Sequence, residues 1–206
     1  MKRVGLLGGA FNPPHLGHLK LAKLALAHLG LDELRVLPAA RSPLKPEGGP
    51  SPEARLTLTR AAFEGLDPRV TVDRTELDRG GTSYTVDTLE ALRAAEPGSA
   101  FILVLGTDQL PILPKWHRVD RILQLAALAM APRPGAPAEL PEGFPAQVVP
   151  AWTGAPGEFQ WLPATELDLA SSVLRSKLSA GPADDSLAAD LPPEVLAAIT
   201  RENLYR

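Results

Sequence analysis

The sequence predicts an α/β fold: an open, mainly parallel, twisted sheet with helices on both faces, built from one domain spanning residues 1–206. Three observations carry that prediction. Short apolar runs with the character of buried strands alternate with stretches of helical periodicity along the first hundred residues. The first forty residues form a strand, helix, strand unit, which favours a parallel pair with a right-handed crossover. A chain of 206 residues that is 45% hydrophobic can bury a continuous core.

Val4 to Leu7 is a short apolar run closed by Gly8-Gly9, the pattern of a buried strand entering a tight turn. From Leu16 to Leu29, residues Leu16, Leu19, Ala22, Leu26 and Leu29 recur at helical spacing, Lys20 and Lys23 mark a wetter face, and Gly30 supplies the stop. Leu34 to Leu37 reads as the second strand. Pro43 to Pro52 forms a Pro/Gly loop, a helix follows near Glu53 to Phe63, and Val70 to Arg74 alternates like a strand. Ser83 is placed to N-cap a helix running to about Ala95, and Phe101 to Leu105 is the most strand-like run of all. Pro132 to Pro163 holds eight prolines and little periodicity, so one or two short strands with long connections are expected there. Leu174 to Leu178 and Pro193 to Leu204 close the chain as helices, the second with Glu194 in its first turn. This Rossmann-like alternation places ligands outside the carboxyl ends of the strands, where the strand order reverses. Gly8 to His18 and Gly106 to Asp108 both follow strands at such a position.

Composition excludes several classes of function. The formal charge of −3 is spread along the chain, without the basic stripe that duplex nucleic acid requires. The absence of cysteine removes disulfides, thiolate metal sites and cysteine nucleophiles, and suits a reducing compartment. The first apolar run is too short for a signal-peptide core, and no segment approaches the roughly 20 apolar residues that span a bilayer. A cytoplasmic protein with no nucleic-acid or membrane partner is expected. No cluster is spaced for tight metal binding, and a homo-oligomer is left open.

The stretch Gly8-Gly9-Ala10-Phe11-Asn12-Pro13-Pro14-His15-Leu16-Gly17-His18 joins a strand, a glycine turn and a helix start. Unpaired backbone N–H groups and the positive end of the helix dipole make such a place an anion site, and phosphate is the obvious guest. It is neither a Walker A loop nor a dinucleotide fingerprint of the G-x-G-x-x-G kind, which argues against a dinucleotide-binding oxidoreductase. Histidines stand where the Walker lysine would. His15 and His18 lie close enough in the first turn to face one anion together, with Gly17 removing an intervening side chain. The competing reading is that His15 caps the helix and His18 packs at its edge. Ser171, Ser172 and Arg175 open a late helix and form a second candidate anion cradle, against the plainer account of an N-cap with a surface arginine. Asp108, at the end of a strand, can accept from ribose hydroxyls. Trp116 sits in the polar stretch LPKWHR, where a tryptophan has less reason to be buried.

G-x-F-[DN]-P-x-H-x-G-H after the first strand is the signature of the nucleotidylyltransferase superfamily, and the chain resembles it closely. DRTELDRGGTSYTVDTLEAL at 73 to 92, LGTDQLPILPKWHRVDRIL at 105 to 123, APRPG at 131 to 135, SSVLR at 171 to 175 and the closing LPPEVLAAITRENLY narrow the resemblance to bacterial nicotinate mononucleotide adenylyltransferases. The similarity runs in order from Val4 to Tyr205.

The resemblance implies a catalytic set of His15, His18, Lys45 and Arg175. It implies ATP contacts from Gly8, Gly9, Ala10, Phe11, Gly17, Gly106, Asp108, Arg133, Ser171 and Ser172, the two serines gripping the outer phosphates with Arg175. Trp116 is implied to stack on the pyridine ring of nicotinate mononucleotide, with Asn12 nearby and backbone donors around Tyr84, Thr85 and His117 receiving the carboxylate. By its own chemistry Lys45 reads as a solvated lysine. The family precedes its cation with Pro-Pro-His, where this chain has Ser42-Pro43-Leu44, and carries Thr where this chain has Val173. The implied reaction moves the adenylyl group of ATP onto nicotinate mononucleotide, releasing pyrophosphate without a covalent enzyme intermediate, with Mg²⁺ arriving on the ATP. Rivals are an enzyme acting on nicotinamide mononucleotide or another phosphorylated acceptor, and a nucleotide-sensing module without catalysis.

Overall fold

Seven strands, all parallel, form a single sheet in the computed structural model, which describes residues 1–43, 49–135, 139–164, 169–180 and 185–205. The strands are β1 (Arg3–Gly9), β2 (Glu33–Pro38), β3 (Val70–Val72), β4 (Ala100–Gly106), β5 (Ala127–Ala131), β6 (Gln147–Val148) and β7 (Glu158–Trp161), in the spatial order β3-β2-β1-β4-β5-β7-β6. The order reverses between β1 and β4, which pair directly from Arg3–Ala100 to Leu6–Leu103. Two loops therefore part from each other there, one after Gly9 and one after Gly106, and leave a crevice at the carboxyl edge.

Period-two alternation explains the two cores. In β4, Ala100, Ile102 and Val104 face one layer while Phe101, Leu103 and Leu105 face the other. The first layer packs helices α1 (Leu16–His28), α2 (Pro52–Phe63), α6 (Ser171–Ala180) and α8 (Pro193–Arg201). The second packs α4 (Thr85–Ala95) and α5 (Val119–Leu125), with α3 (Thr75–Arg79) at its margin and α7 (Asp185–Ala188) beside the first layer. Small residues let the first layer approach closely: a Cβ on Gly5 would meet Leu31 Cδ1 at 2.6 Å, and β5 turns Ala127, Ala129 and Ala131 to that face. Among the described residues no helix is long and apolar enough to cross a membrane.

The expected elements appear, with several differences. Helix α1 opens at Leu16 and ends before Gly30, whose φ of 57° is the left-handed stop that glycine supplies. Ser83 does not cap α4. Tyr84 takes the N-cap position, and the buried Ser83 instead accepts the Ala40 N–H at 3.0 Å, tying the loop after β2 to the approach of α4. The proline-rich segment yields two short strands, β6 and β7, as expected. Strand β5 and the helices α3, α5 and α7 carry no clear sequence signal and are additions.

Candidate active site

The turn after β1 is shaped by missing side chains and by one strained residue. Phe11 adopts φ 45°, a left-handed conformation that costs a non-glycine residue about 1 kcal/mol or more, and folds its ring back into the core. The room comes from Gly9, where a Cβ would stand 3.2 Å from that ring. Phe11 then meets the His18 ring edge-on at 5.0 Å between centroids. His15 stacks against the other side of His18 at 3.8 Å, and the His15 N–H donates to His18 Nδ1 at 3.2 Å. With Nδ1 accepting, a neutral His18 carries its proton on Nε2, the donor it can offer to the cleft it lines.

The two imidazoles do not face the cleft together. His15 is 2% exposed, sits at the N-cap of α1, and is absent from the cleft wall, so the plainer capping account describes its geometry. Gly17 accordingly acts differently from expectation: a Cβ there would press on the His15 ring at 3.0 Å. The glycine makes space for an imidazole, where space for an anion was expected.

The cleft itself measures about 540 Å³ and opens at the switch point between β1 and β4. One wall is the turn, with Gly8, Gly9, Ala10, Phe11 and His18. The floor and far side bring Gly106, Asp108, Arg133 and Ser171. Arg133 is held by its Nη1 bond to Leu169 O at 3.2 Å and by Asp108 Oδ1 3.5 Å from its Nε, while its backbone N–H donates to Thr107 Oγ1. Gly106 leaves room for this pair, since a Cβ would fall 2.5 Å from Asp108 Oδ1 and 3.0 Å from Arg133 Nε and displace them.

The opposite end of the cleft is aromatic. Trp116, half-buried, follows a short 3₁₀ turn at Leu113–Lys115, with Nε1 buried and lacking an acceptor among the described residues. Tyr84 and His117 pack ring to ring at 4.6 Å beside it. Thr85 begins α4, whose N-terminus has no side-chain cap, leaving the helix's positive end toward this part of the cleft.

Other implied site residues reach the turn from the start of α6. Ser171 Oγ donates to Pro13 O at 3.1 Å and Arg175 Nη1 to Asn12 O at 2.9 Å, so the start of α6 clasps the turn from outside. Asn12, Arg175 and the exposed Ser172 do not line the cleft. Lys45 and Leu44 lie outside the described residues.

Glu76, Thr88 and Lys115 are among the polar lining residues that escaped sequence reasoning. Glu76, 8% exposed, accepts the Thr88 hydroxyl at 2.7 Å; burial raises its carboxyl above the usual range, against the lowering effect of Thr88, Ser83 and Arg79. It hides in the charged run RTELDR. Thr88 lies on the inner stripe of α4 with Leu89 and Leu92, a spacing that could have located it. Lys115 also lines the cleft, and nothing in LPKWHR separates it from a surface lysine.

Comparison with known proteins agrees with this geometry. Residues 6–176 match the model of the cytidylyltransferase-like family. Proteins named "probable nicotinate-nucleotide adenylyltransferase" from Gemmatimonas aurantiaca and Hydrogenovibrio crunogenus are 40% and 38% identical, over 99% and 98% of this chain and 92% and 97% of their own lengths. The fold superposes on a Plasmodium falciparum nicotinic acid mononucleotide adenylyltransferase complexed with NaAD, with a TM-score of 0.78 at 15% identity, covering 100% of this chain and 98% of that one. A signature turn in place, a crevice at the switch point and this extent of identity lead to one assignment: the chain belongs to the nicotinate-nucleotide adenylyltransferase family within the cytidylyltransferase-like nucleotidyltransferases.

Proposed function

We propose that this chain, as one catalytic domain of residues 1–206, transfers the adenylyl group of ATP to nicotinate mononucleotide, giving nicotinate adenine dinucleotide and pyrophosphate. The observation that carries the reading is one cleft with two unlike ends: a phosphate turn with His18, and an aromatic pocket at an uncapped helix N-terminus. A helix N-terminus with unpaired N–H groups suits the carboxylate of nicotinate better than the neutral amide of nicotinamide. Trp116 offers the flat face for the pyridine ring, with Tyr84 and His117 as its flank.

The chemistry needs alignment more than proton transfer. A phosphate oxygen of the mononucleotide is already a competent nucleophile, so the site holds it in line with the α-phosphorus while the α–β bridging oxygen departs with pyrophosphate. His18 Nε2–H and the backbone N–H groups of the turn donate to the phosphoryl oxygens as charge moves outward onto them. Arg133 and Ser171 extend the donors toward the leaving phosphates. Arg175 and Lys45 complete the cationic set, Arg175 by leaving the Asn12 carbonyl it now holds. His15 acts by fixing the His18 ring.

Mg²⁺ would be carried by the triphosphate, and the donor set fits that mode. Asp108 and Glu76 are the carboxylates among the described lining residues, Glu76 is engaged with Thr88, and only Asp108 is exposed to meet a phosphate-bound ion. When bound, the ion neutralises charge on the phosphates. A coupled pyrophosphate assay with ATP, Mg²⁺ and each mononucleotide in turn tests the whole reading. Turnover with nicotinate mononucleotide at least about ten-fold more efficient than with nicotinamide mononucleotide is expected from the lost charge-assisted bonds. Preference for the amide refutes the carboxylate assignment, and no pyrophosphate with either refutes catalysis.

A further inference from the structure

Helix α2 carries an arginine into the space behind the phosphate turn. Arg55 is 7% exposed; its Nη1 donates to Ala10 O and its Nη2 to Ala40 O, both at 2.7 Å. Ala10 lies in the turn after β1, and Ala40 in the loop after β2, between the cleft-lining Ala39 and Ser42. One guanidinium therefore fixes two separate walls of the cleft relative to each other. Among the described residues no carboxylate lies within ion-pair distance of it. Burial weakens its hold on the proton, yet an arginine stays cationic in such a place.

The C-terminal tail meets this arginine. Tyr205 is held at φ 70°, a left-handed conformation, with its carbonyl accepting the Ser179 hydroxyl at 3.0 Å. Its own hydroxyl is buried with no hydrogen-bond partner among the described residues; burial raises its pKa, against the lowering effect of the nearby Arg175 and Arg55 charges. Arg175 in turn holds Asn12 O. The phosphate turn is thus held at Ala10 and Asn12 by two arginines whose charges both reach the buried Tyr205 phenol. A phenylalanine would fill the same space without an unsatisfied hydroxyl, which costs stability where nothing offsets it.

Building on the adenylyl-transfer reading, we propose that Arg55 and Tyr205 are positioning residues for ATP. Arg55 sets the spacing of the two cleft walls and lends the turn a buried positive charge, which the triphosphate on the other side offsets. Tyr205 steadies the Arg55–Arg175 pair, so the end of the chain belongs to the ATP site without touching ATP. An uncompensated buried cation is costly alone and favourable once an anion binds nearby, so the network acts selectively on the phosphate-bearing end of the cleft.

The test compares Arg55→Gln, Arg55→Lys and Tyr205→Phe in the full chain. Calorimetry gives the ATP dissociation constant with no acceptor present, kinetics give KM for nicotinate mononucleotide, and unfolding gives the thermal midpoint. Arg55→Gln is expected to weaken ATP about ten-fold, with Arg55→Lys recovering part of the loss, because charge-assisted bonds are removed or partly kept. Tyr205→Phe is expected to weaken ATP about three-fold with an unchanged or higher thermal midpoint, while KM for the mononucleotide stays within about two-fold. If Arg55→Gln fails to fold, Tyr205→Phe and Arg55→Lys decide. Unchanged ATP affinity, or parallel loss for both ligands tracking lost stability, overturns the proposal. A wild type that binds ATP but makes no dinucleotide would refute the acceptor assignment and leave this inference standing.

Discussion

His18 is wedged between Phe11 and His15, and its orientation is over-determined by a backbone hydrogen bond and two rings. On the proposed reading such a ring loses little entropy in meeting a transition state, which puts its effect in turnover. His18→Ala is expected to lower kcat about 100-fold with KM for ATP changed less than about three-fold, as for loss of one preorganised donor. Steady-state kinetics check this; unchanged kcat with a raised KM would assign His18 to ground-state binding alone. The motif made these residues legible, because a strand, a double glycine and a helix start can be read from spacing. Spacing could not divide labour between the histidines. Which ring faces the cleft follows from the backbone turn at Phe11 and from the space over Gly17, and neither leaves a trace in the one-letter code. Arg55 was equally hidden, although it shares the buried stripe of α2 with Thr59, Ala62 and Phe63.

Elements with unambiguous periodicity were read nearly to the residue, as α1 and β4 show. The exceptions have physical causes. Strand β5 reads Ala-Leu-Ala-Met-Ala, residues that suit a helix at least as well, and it becomes a strand because β4 and β7 offer it a partner on each edge. Helix α5 is seven residues long and opens at Arg118 in a left-handed conformation, with Arg118 and Arg121 both reaching Glu90 on α4. Ser83 resembled a cap, yet its hydroxyl serves Ala40 across the cleft wall. The pairing of α3 with α4 through Glu76 and Thr88 gives a prediction at this scale. Burial raises the folded-state pKa of Glu76 above its unfolded value of 4.5, so the penalty is present above the folded pKa and absent below 4.5. Glu76→Gln should therefore be about 1 kcal/mol more stable at pH 8 and lose that advantage below pH 4.5. Urea unfolding across pH measures it; a constant difference would show that Glu76 acts through packing alone.

Because all seven strands run the same way, the molecule has two chemically distinct edges. The carboxyl edge carries the cleft. At the amino edge Glu33, at the start of β2, binds Lys2 at 2.6 Å and Arg35 at 2.9 Å, while Arg35 also reaches Glu96 at 2.6 Å, just before β4. The Arg35 hydrogen bond, supported by Lys2, holds the Glu33 carboxyl at about 2, below its usual 4.5. A depressed pKa contributes stability above the unfolded value and loses it as pH falls from 4.5 through about 2. Glu33→Gln should cost about 1 kcal/mol at pH 7, with the difference from wild type vanishing near pH 2, and leave kcat and both KM values unchanged. Altered kinetics in that variant would mean the two edges are coupled through the sheet.

On the proposed reading, the hydrogen bond from the His15 N–H to His18 Nδ1 also bears on how protons are handled in the reaction. A ring whose Nδ1 already accepts can share the Nε2 proton, but giving that proton up would leave an imidazolate. On the proposed reading His18 lends a hydrogen bond from Nε2 and is not the group that moves a proton. The chemistry matches, since an ionised phosphate attacks and an ionised pyrophosphate leaves. On that reading the adenylyl group passes from one phosphate to another without a proton moving through His18.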